Sequence, residues 1–197
     1  MEIITSKDNP AVKLYRKLSK SKKERSAYNM FVLEGLRIVM DALKENSGLK
    51  YLIITQQAFE RFESEISQAD LNNTRLIVIS NELGNKIAQT EKTQGVFAVC
   101  SIPPAKKLNL DSDGKYIVLH RVQDPGNMGM IIRTADALGI DGIITSECCD
   151  LYNPKVIRST MGSVFRMKIY NEPDTDIIFS ELSEKNIKSF ASVIDTD

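Results

Sequence analysis

Apolar positions along the chain switch repeatedly between helical and strand periods, and the switches fall into two runs separated by a polar stretch. From Asp8 to Ser19, Ala11, Leu14, Tyr15 and Leu18 recur at helical spacing while Lys13, Arg16, Lys17 and Lys20 form a second stripe, which predicts an amphipathic helix with a basic outer face. Phe31-Val32-Leu33 is a short apolar run, and Glu34-Gly35 opens another helical pattern through Leu36, Val39, Met40 and Leu43. Strand-like runs at Tyr51–Thr55 and Arg75–Ser80 enclose a helical stretch over Gln57–Ser67. A helix over Glu82–Gln89 and a strand over Gly95–Ser101 complete this half.

Between Ile102 and Lys115 proline, polar residues and turn formers replace any sustained period, so residues 103–114 are expected to form a linker. Alternation then resumes: strand Tyr116–Leu119, helix from about Asn127 to Leu138, strand Gly142–Ser146, and a helix opening near Pro154. A strand over Phe165–Tyr170, a helix over Asp176–Ser183 and a final strand over Ser189–Ile194 follow. Near-continuous apolar strands separated by helices indicate a parallel sheet covered on both faces. The expected class is α/β with two domains, residues 1–102 and 115–197.

Charge adds a local feature that the average conceals. Lys7, Lys13, Arg16, Lys17, Lys20, Lys22, Lys23 and Arg25 stand against Glu2, Asp8 and Glu24 up to Tyr28, although the whole chain has a formal net charge of zero. The basic arm, with Tyr15 and Tyr28, points to RNA phosphate contact at Lys13, Arg16, Lys17 and Lys20, or to an ordinary solvated helix face. No run of about 18 apolar residues offers a membrane span and no signal-peptide pattern opens the chain, so a cytoplasmic protein is expected. Cys100, Cys148 and Cys149 lack the spacing of a disulfide framework or a zinc knuckle, and His120 is the single histidine. No metal is expected.

The stretch from Val122 to Ile144 carries the most chemical information. Asp124-Pro125-Gly126 makes a sharp turn off a strand, Asn127 suits the cap of the next helix, and Gly139 suits its end. Ile131, Ile132, Ala135 and Leu138 are expected to face the core, leaving Met130, Arg133 and Ala137 on another face. Gly126 and Gly129 give G-x-x-G, which is neither the G-x-G-x-x-G dinucleotide fingerprint nor a P-loop. Arg133 either faces a site or pairs with Asp136 one turn on. Further along, Asn153 suits a cap, Pro154 a first helical position, and Lys155 and Arg158 a shared face, a plausible phosphate seat or plain surface charge. Ser159 and Thr160 lack an accompanying base and read as hydroxyls with local partners, and His120 as a hydrogen-bonded strand end.

Taken whole, the Asp-Pro-Gly-Asn turn, the Ile-Ile-Arg-Thr-Ala run and the closing glycine resemble the first signature of the SpoU/TrmH RNA methyltransferases of the SPOUT superfamily. The matching positions are Asn127, Gly129 and Arg133. The segment from Asn153 to Met167 is similar to the Asn-Pro-Lys…Arg…Ser-x-Gly stretch of the same family. Asn9-Pro10, Val12-Lys13, Phe31–Gly35 and Arg37 look like its substrate-binding domain, whose fold is like that of small ribosomal RNA-binding proteins.

The resemblance implies methyl transfer from S-adenosylmethionine to a ribose 2′-hydroxyl of structured RNA, more in keeping with rRNA than tRNA, by a homodimer with a trefoil-knotted domain. It makes Arg133 and Asn127 the catalytic residues and puts Thr196 on the cofactor side. A guanidinium, titrating above about 12, is a poor base. An assisting role follows for Arg133, gripping the neighbouring phosphate and easing the forming alkoxide. The family's Gly-Asn-Glu-Gly-like loop and Ser-Leu-Asn-Val segment do not occur here, which leads to the expectation of a fragment ending before the knot, with weak affinity for S-adenosylmethionine. An acidic residue common in the family near His120-Arg121 is also missing. A non-catalytic RNA-binding protein is the alternative, and a small-molecule nucleotide enzyme suffers from the wrong glycine spacing.

Overall fold

The computed structural model describes residues 2–71 and 73–192. Asn9 opens α1 (Pro10–Lys20): its side-chain oxygen accepts the N–H groups of Ala11 and Val12 at 3.0 and 3.4 Å, and Pro10 takes a position where no helical donor is lost. Ala11, Val12, Tyr15 and Leu18 are buried, whereas Lys13, Lys17 and Lys20 are exposed. After α2 (Lys22–Tyr28), Asn29 adopts a left-handed conformation and turns the chain into β1 (Met30–Glu34).

The first unit continues through α3 (Leu36–Lys44), β2 (Leu49–Thr55), α4 (Gln56–Arg61), α5 (Glu63–Gln68), β3 (Arg75–Ile79), α6 (Asn81–Ile87) and β4 (Val96–Ser101). The single helix expected over Gln57–Ser67 is two, because the chain breaks at Phe62, whose side chain is buried in the core. Strand order is β1-β4-β2-β3, with β4 antiparallel to β1 and β2, and β2 parallel to β3. Side chains alternate across this sheet. Phe31, Leu33, Leu52, Ile54 and Ala98 pack on the α3–α5 face, and Val32, Ile53, Phe97 and Val99 pack beneath α1 and α6.

The second unit comprises β5 (Tyr116–His120), α7 (Pro125–Ala137), β6 (Gly142–Ser146), α8 (Pro154–Ser159), α9 (Ser163–Arg166), β7 (Ile169–Asn171) and α10 (Thr175–Glu184). Its strands are all parallel, in the order β5-β6-β7. Ile143 faces a core with Met128, Ile132 and Ala135 of α7 and Val156 of α8. Ile144 faces the opposite core with Ile178 and Leu182 of α10. A sheet covered on both faces explains why all of β6 is buried. Residues 108–110 are pinned to this unit: Leu110 is buried, its N–H donates to Glu181 at 3.0 Å, and the Tyr170 hydroxyl donates to the Asn109 carbonyl at 3.2 Å.

The two units share a core. Ile157 of α8 is buried in the hydrophobic cluster of the first sheet, with Tyr152, Val164 and Phe165 packed beside it and the Phe31 and Tyr152 rings 4.9 Å apart. At the same seam the buried Arg25 of α2 donates to Asp150 through Nε at 2.9 Å and Nη2 at 2.6 Å. Its Nη1 donates to the Leu18 carbonyl at 2.6 Å.

Three expectations change in the second unit. The strand foreseen over Phe165–Tyr170 begins only at Ile169, because Gly162 turns left-handed (φ 92°) and starts α9. Val164 and Phe165 then cover the first sheet instead of extending a strand. Leu138 does not face the core: it caps the end of α7 and is 73% exposed. The strand foreseen over Ser189–Ile194 is not formed through Ser192; Asn186 turns left-handed, the Ile187 N–H bonds back to Leu182 at 2.8 Å, and residues 188–192 join no ladder among the described residues. Val193, Ile194 and Thr196 lie outside the described residues.

Candidate active site on helix α7

The helix after β5 is capped by Asp124, at the start of the expected turn, and not by Asn127. The Asp124 carboxylate caps α7 by accepting the Asn127 N–H at 2.8 Å, Pro125 occupies the first turn, and Asn127 lies within the helix. A carboxylate is as good a cap as an amide and adds a favourable interaction with the helix dipole, so the helix starts two residues earlier than expected. The Asn127 side chain is thereby left exposed and makes no hydrogen bond to the described residues.

Gly129 has a packing role rather than a phosphate-binding one. A Cβ there would run into the Ser159 side chain and lie 2.7 Å from the Val156 carbonyl oxygen, so the glycine lets α7 and α8 approach at backbone distance. Arg133 follows one turn after Met130 on the outer face. It is exposed, as is Met130, and it makes no hydrogen bond or ion pair with the described residues.

Asp136, the partner weighed for Arg133, is taken by another residue. Arg166 of α9 donates to it through Nη2 at 2.5 Å. Partial burial pulls the Asp136 carboxyl upward, but hydrogen bonds from Arg166 and Ser163 outweigh this and hold its pKa below the ordinary value. Sequence periodicity gave no sign of the pairing, because the two residues are distant in sequence and on different helices.

Lys155 and Arg158, expected on one outward face, separate. Lys155 is exposed with its ammonium 3.9 Å from Asp124. Arg158 is half-buried and its Nη1 is fully buried without a hydrogen-bond partner among the described residues. Its charge reaches the buried Tyr15 phenol, whose pKa is driven up by burial and by Glu34 while Arg158 opposes the rise. Ser159 and Thr160 donate to the carbonyls of Lys155 and Ile157, at 2.8 and 2.7 Å, as local helix hydroxyls do.

In the basic arm, Lys17 lies over the Tyr28 ring at 5.8 Å, Lys13 pairs with Asp8 at 2.9 Å, and Lys20 is exposed. Arg16 is half-buried. Arg25 leaves the arm altogether for the seam.

The carboxyl ends of β5, β6 and β7 form the remaining side of the site, the place where open α/β sheets bind ligands. His120 Nδ1 lies 3.3 Å from the Ser146 hydroxyl, which donates to the Pro173 carbonyl at 3.0 Å, while Thr145 donates to the Tyr170 carbonyl at 3.1 Å. Arg121 and Glu147, at the ends of β5 and β6, are both left-handed (φ 56° and 51°) and pair at 2.5 Å. The hydrogen bond from Arg121 lowers the Glu147 pKa. Two adjacent non-glycine residues held in this region of φ mark a constrained site edge. The Ser146 and Thr145 hydroxyls are committed within the chain.

Comparison with known proteins follows this geometry closely. Residues 114–196 match the model of the SpoU rRNA Methylase family, and residues 9–98 match the MRM3-like substrate binding domain. The chain is 31% identical over 195 residues to the 23S rRNA (guanosine(2553)-2'-O)-methyltransferase of Bacillus subtilis, spanning 98% of this chain and 74% of that protein. The chain belongs to the SpoU rRNA methylase family. A mitochondrial rRNA methyltransferase 3A of Danio rerio is also 31% identical, over 86% of this chain and 40% of that protein. The crystal structure of an rRNA methyltransferase from Sinorhizobium meliloti superposes with a TM-score of 0.75 at 31% identity, covering 90% of this chain and 68% of that one. The same enzyme has been crystallised with AdoMet bound. The two matched segments correspond to the two sheets, the first ending within β4.

Proposed function

We propose that this SpoU-family protein methylates a ribose 2′-hydroxyl in structured ribosomal RNA, using S-adenosylmethionine as the methyl donor. The observation that carries this reading is the state of Arg133: exposed on α7, free of any partner among the described residues, and one helical turn from an aspartate already bound elsewhere. A guanidinium presented in this way offers a planar fork of donors to a phosphodiester. Held there, it fixes the adjacent ribose and stabilises the negative charge that grows on the 2′-oxygen as its proton leaves. Asn127, exposed in the first turn of the same helix, supplies a second uncommitted hydrogen-bonding group. The cofactor contributes an electrophilic methyl; the residues described here serve the acceptor.

Residues 1–102 form the RNA-docking unit in this reading and 115–197 the catalytic unit, with 103–114 strapped to the latter. Lys13, Lys17, Lys20 and Lys155 contact phosphates at the periphery, Arg16 sits at the edge of that surface, and Arg158 acts internally at the seam. Thr196 belongs with the cofactor side. Two copies associate through the catalytic unit, for which the exposed Met130 and Leu138 of α7 provide apolar surface. No helix among the described residues is long and apolar enough to cross a membrane; the reaction takes place with ribosomal RNA in the cytoplasm.

The test is incubation with labelled S-adenosylmethionine and ribosomal RNA, followed by nuclease digestion and mass spectrometry. The expected product is a 2′-O-methylated nucleotide. RNA bound without methyl transfer would support the non-catalytic alternative, and a base-methylated product would contradict the reading.

A further inference from the structure

We infer that Arg166 is a positioning residue for methyl transfer: by holding Asp136 it keeps Arg133 free for RNA. The inference rests on the role proposed for Arg133. Residues three apart on a helix are neighbours, with Cβ atoms about 5–6 Å apart, so Asp136 is within pairing reach of Arg133. Left without another cation, its carboxylate would draw the Arg133 guanidinium back onto the helix surface. The RNA would then have to break that pair before it could use the charge.

The structure removes this competitor by geometry. Arg166 comes from α9, a separate element, and meets Asp136 at 2.5 Å; it also reaches the Ser163 hydroxyl at 3.4 Å. Asp41 of α3 and Glu45, which caps it, add negative charge that also favours the Arg166 cation. Arg166 is itself exposed, but its charge is engaged by Asp136, whereas that of Arg133 has no partner among the described residues.

The clamp is anchored where the units meet. Gly162 is left-handed and lies against Asp41, where any Cβ would strike the carboxylate, and Val164 and Phe165 pack into the first sheet's core. The short helix bearing Arg166 is thus located by the docking unit. The state of the catalytic arginine consequently depends on correct seating of the two units.

The test uses the full chain with Arg166→Met, which keeps the aliphatic stem and removes the charge, alone and combined with Asp136→Asn. Two readouts are taken. Side-chain nitrogen NMR of the Arg133 guanidinium should show a new, slower-exchanging Nε–H signal in Arg166→Met that disappears again in the double variant. Methyl transfer should fall about three- to fivefold in kcat/KM for RNA in Arg166→Met, the scale of an exposed ion pair, with S-adenosylmethionine affinity unchanged. The double variant should recover it. A purely structural role for Arg166 would leave the double variant as impaired as the single one, and that result overturns the inference. An Arg133 signal indifferent to Arg166→Met overturns it too, whatever the activity. If the spectra behave as expected and no variant, nor the parent, transfers methyl to RNA, the clamp stands and the proposed reaction fails.

Discussion

Arg25 and Asp150 are joined across the seam by two hydrogen bonds, at 2.9 and 2.6 Å, and the arginine's third contact is a backbone carbonyl of its own unit. The side chains are 5% and 15% exposed. An arginine that reads as part of a basic RNA-binding arm is therefore a structural fastening, and it fixes α1 and α2 relative to the catalytic unit. Replacing Arg25 with Ala strands the Asp150 carboxylate in a dry seam and should cost about 3–5 kcal/mol. Chemical denaturation checks this, and a paired replacement of both residues by apolar side chains should recover most of the loss. A destabilisation under about 1 kcal/mol would mean that the pair is solvated.

Because Ile157 is buried in the first sheet's core, the two units should unfold in one transition, not two. Fluorescence and circular dichroism melts that coincide would bear this out; separated melts would contradict the shared core.

At Gly129 the addition of one methyl group should be felt at once. Gly129→Ala forces α7 away from α8 against Ser159 and the Val156 carbonyl, and overpacking of this kind costs about 1–3 kcal/mol. The shift also carries Arg133, so methyl transfer should fall more than stability alone explains. Stability unchanged within error would show that the helices have room to spare.

Much of the fold was legible because local signals and tertiary packing agree. The α1 stripe, the strands of the first sheet and the helix opening at Pro154 all follow from periods of 3.6 and 2 and from caps. Misjudged elements are those decided by distant partners. Phe165 looks like strand but packs against another sheet, and Leu138 fits the helical apolar stripe but falls beyond the last turn. In the site, Arg133 could be singled out from its signature, whereas its freedom could not. That depends on Arg166 and on no local pattern. Arg158 likewise reads as a phosphate contact or surface charge until Tyr15 and the seam are placed around it.

Acid should expose the Arg166–Asp136 clamp. The folded pKa of Asp136 is lowered, so its contribution is fully present above the ordinary value of 3.8 and is lost as the pH falls through the lower folded value. The stability difference between the parent and Arg166→Met should thus be constant at neutral pH and vanish under strong acid. A difference that grows with acidification would reverse the sign of the coupling. Both groups are partly exposed, so the effect is small.

Burial pushes the Cys100 thiol far above its ordinary pKa. Cys100 should resist alkylation at pH 8 in the folded protein and react only on unfolding, while Cys148 and Cys149, partly exposed, react sooner. Peptide mapping after timed labelling distinguishes them; rapid native labelling of Cys100 would contradict the packing of β4.

Loss of Lys20 should weaken RNA binding uniformly across sequences and reduce the salt slope by about 1. An unchanged slope would make the basic arm an ordinary solvated face.

The decisive measurement is single-turnover methyl transfer by Arg133→Lys in the full chain, with RNA affinity measured alongside. Lysine keeps the charge but loses the planar fork, so a fall of about a hundredfold or more in the transfer rate, with RNA binding little changed, is expected. Near-normal turnover by Arg133→Lys would show that no such geometry is needed and would remove Arg133 from the chemistry.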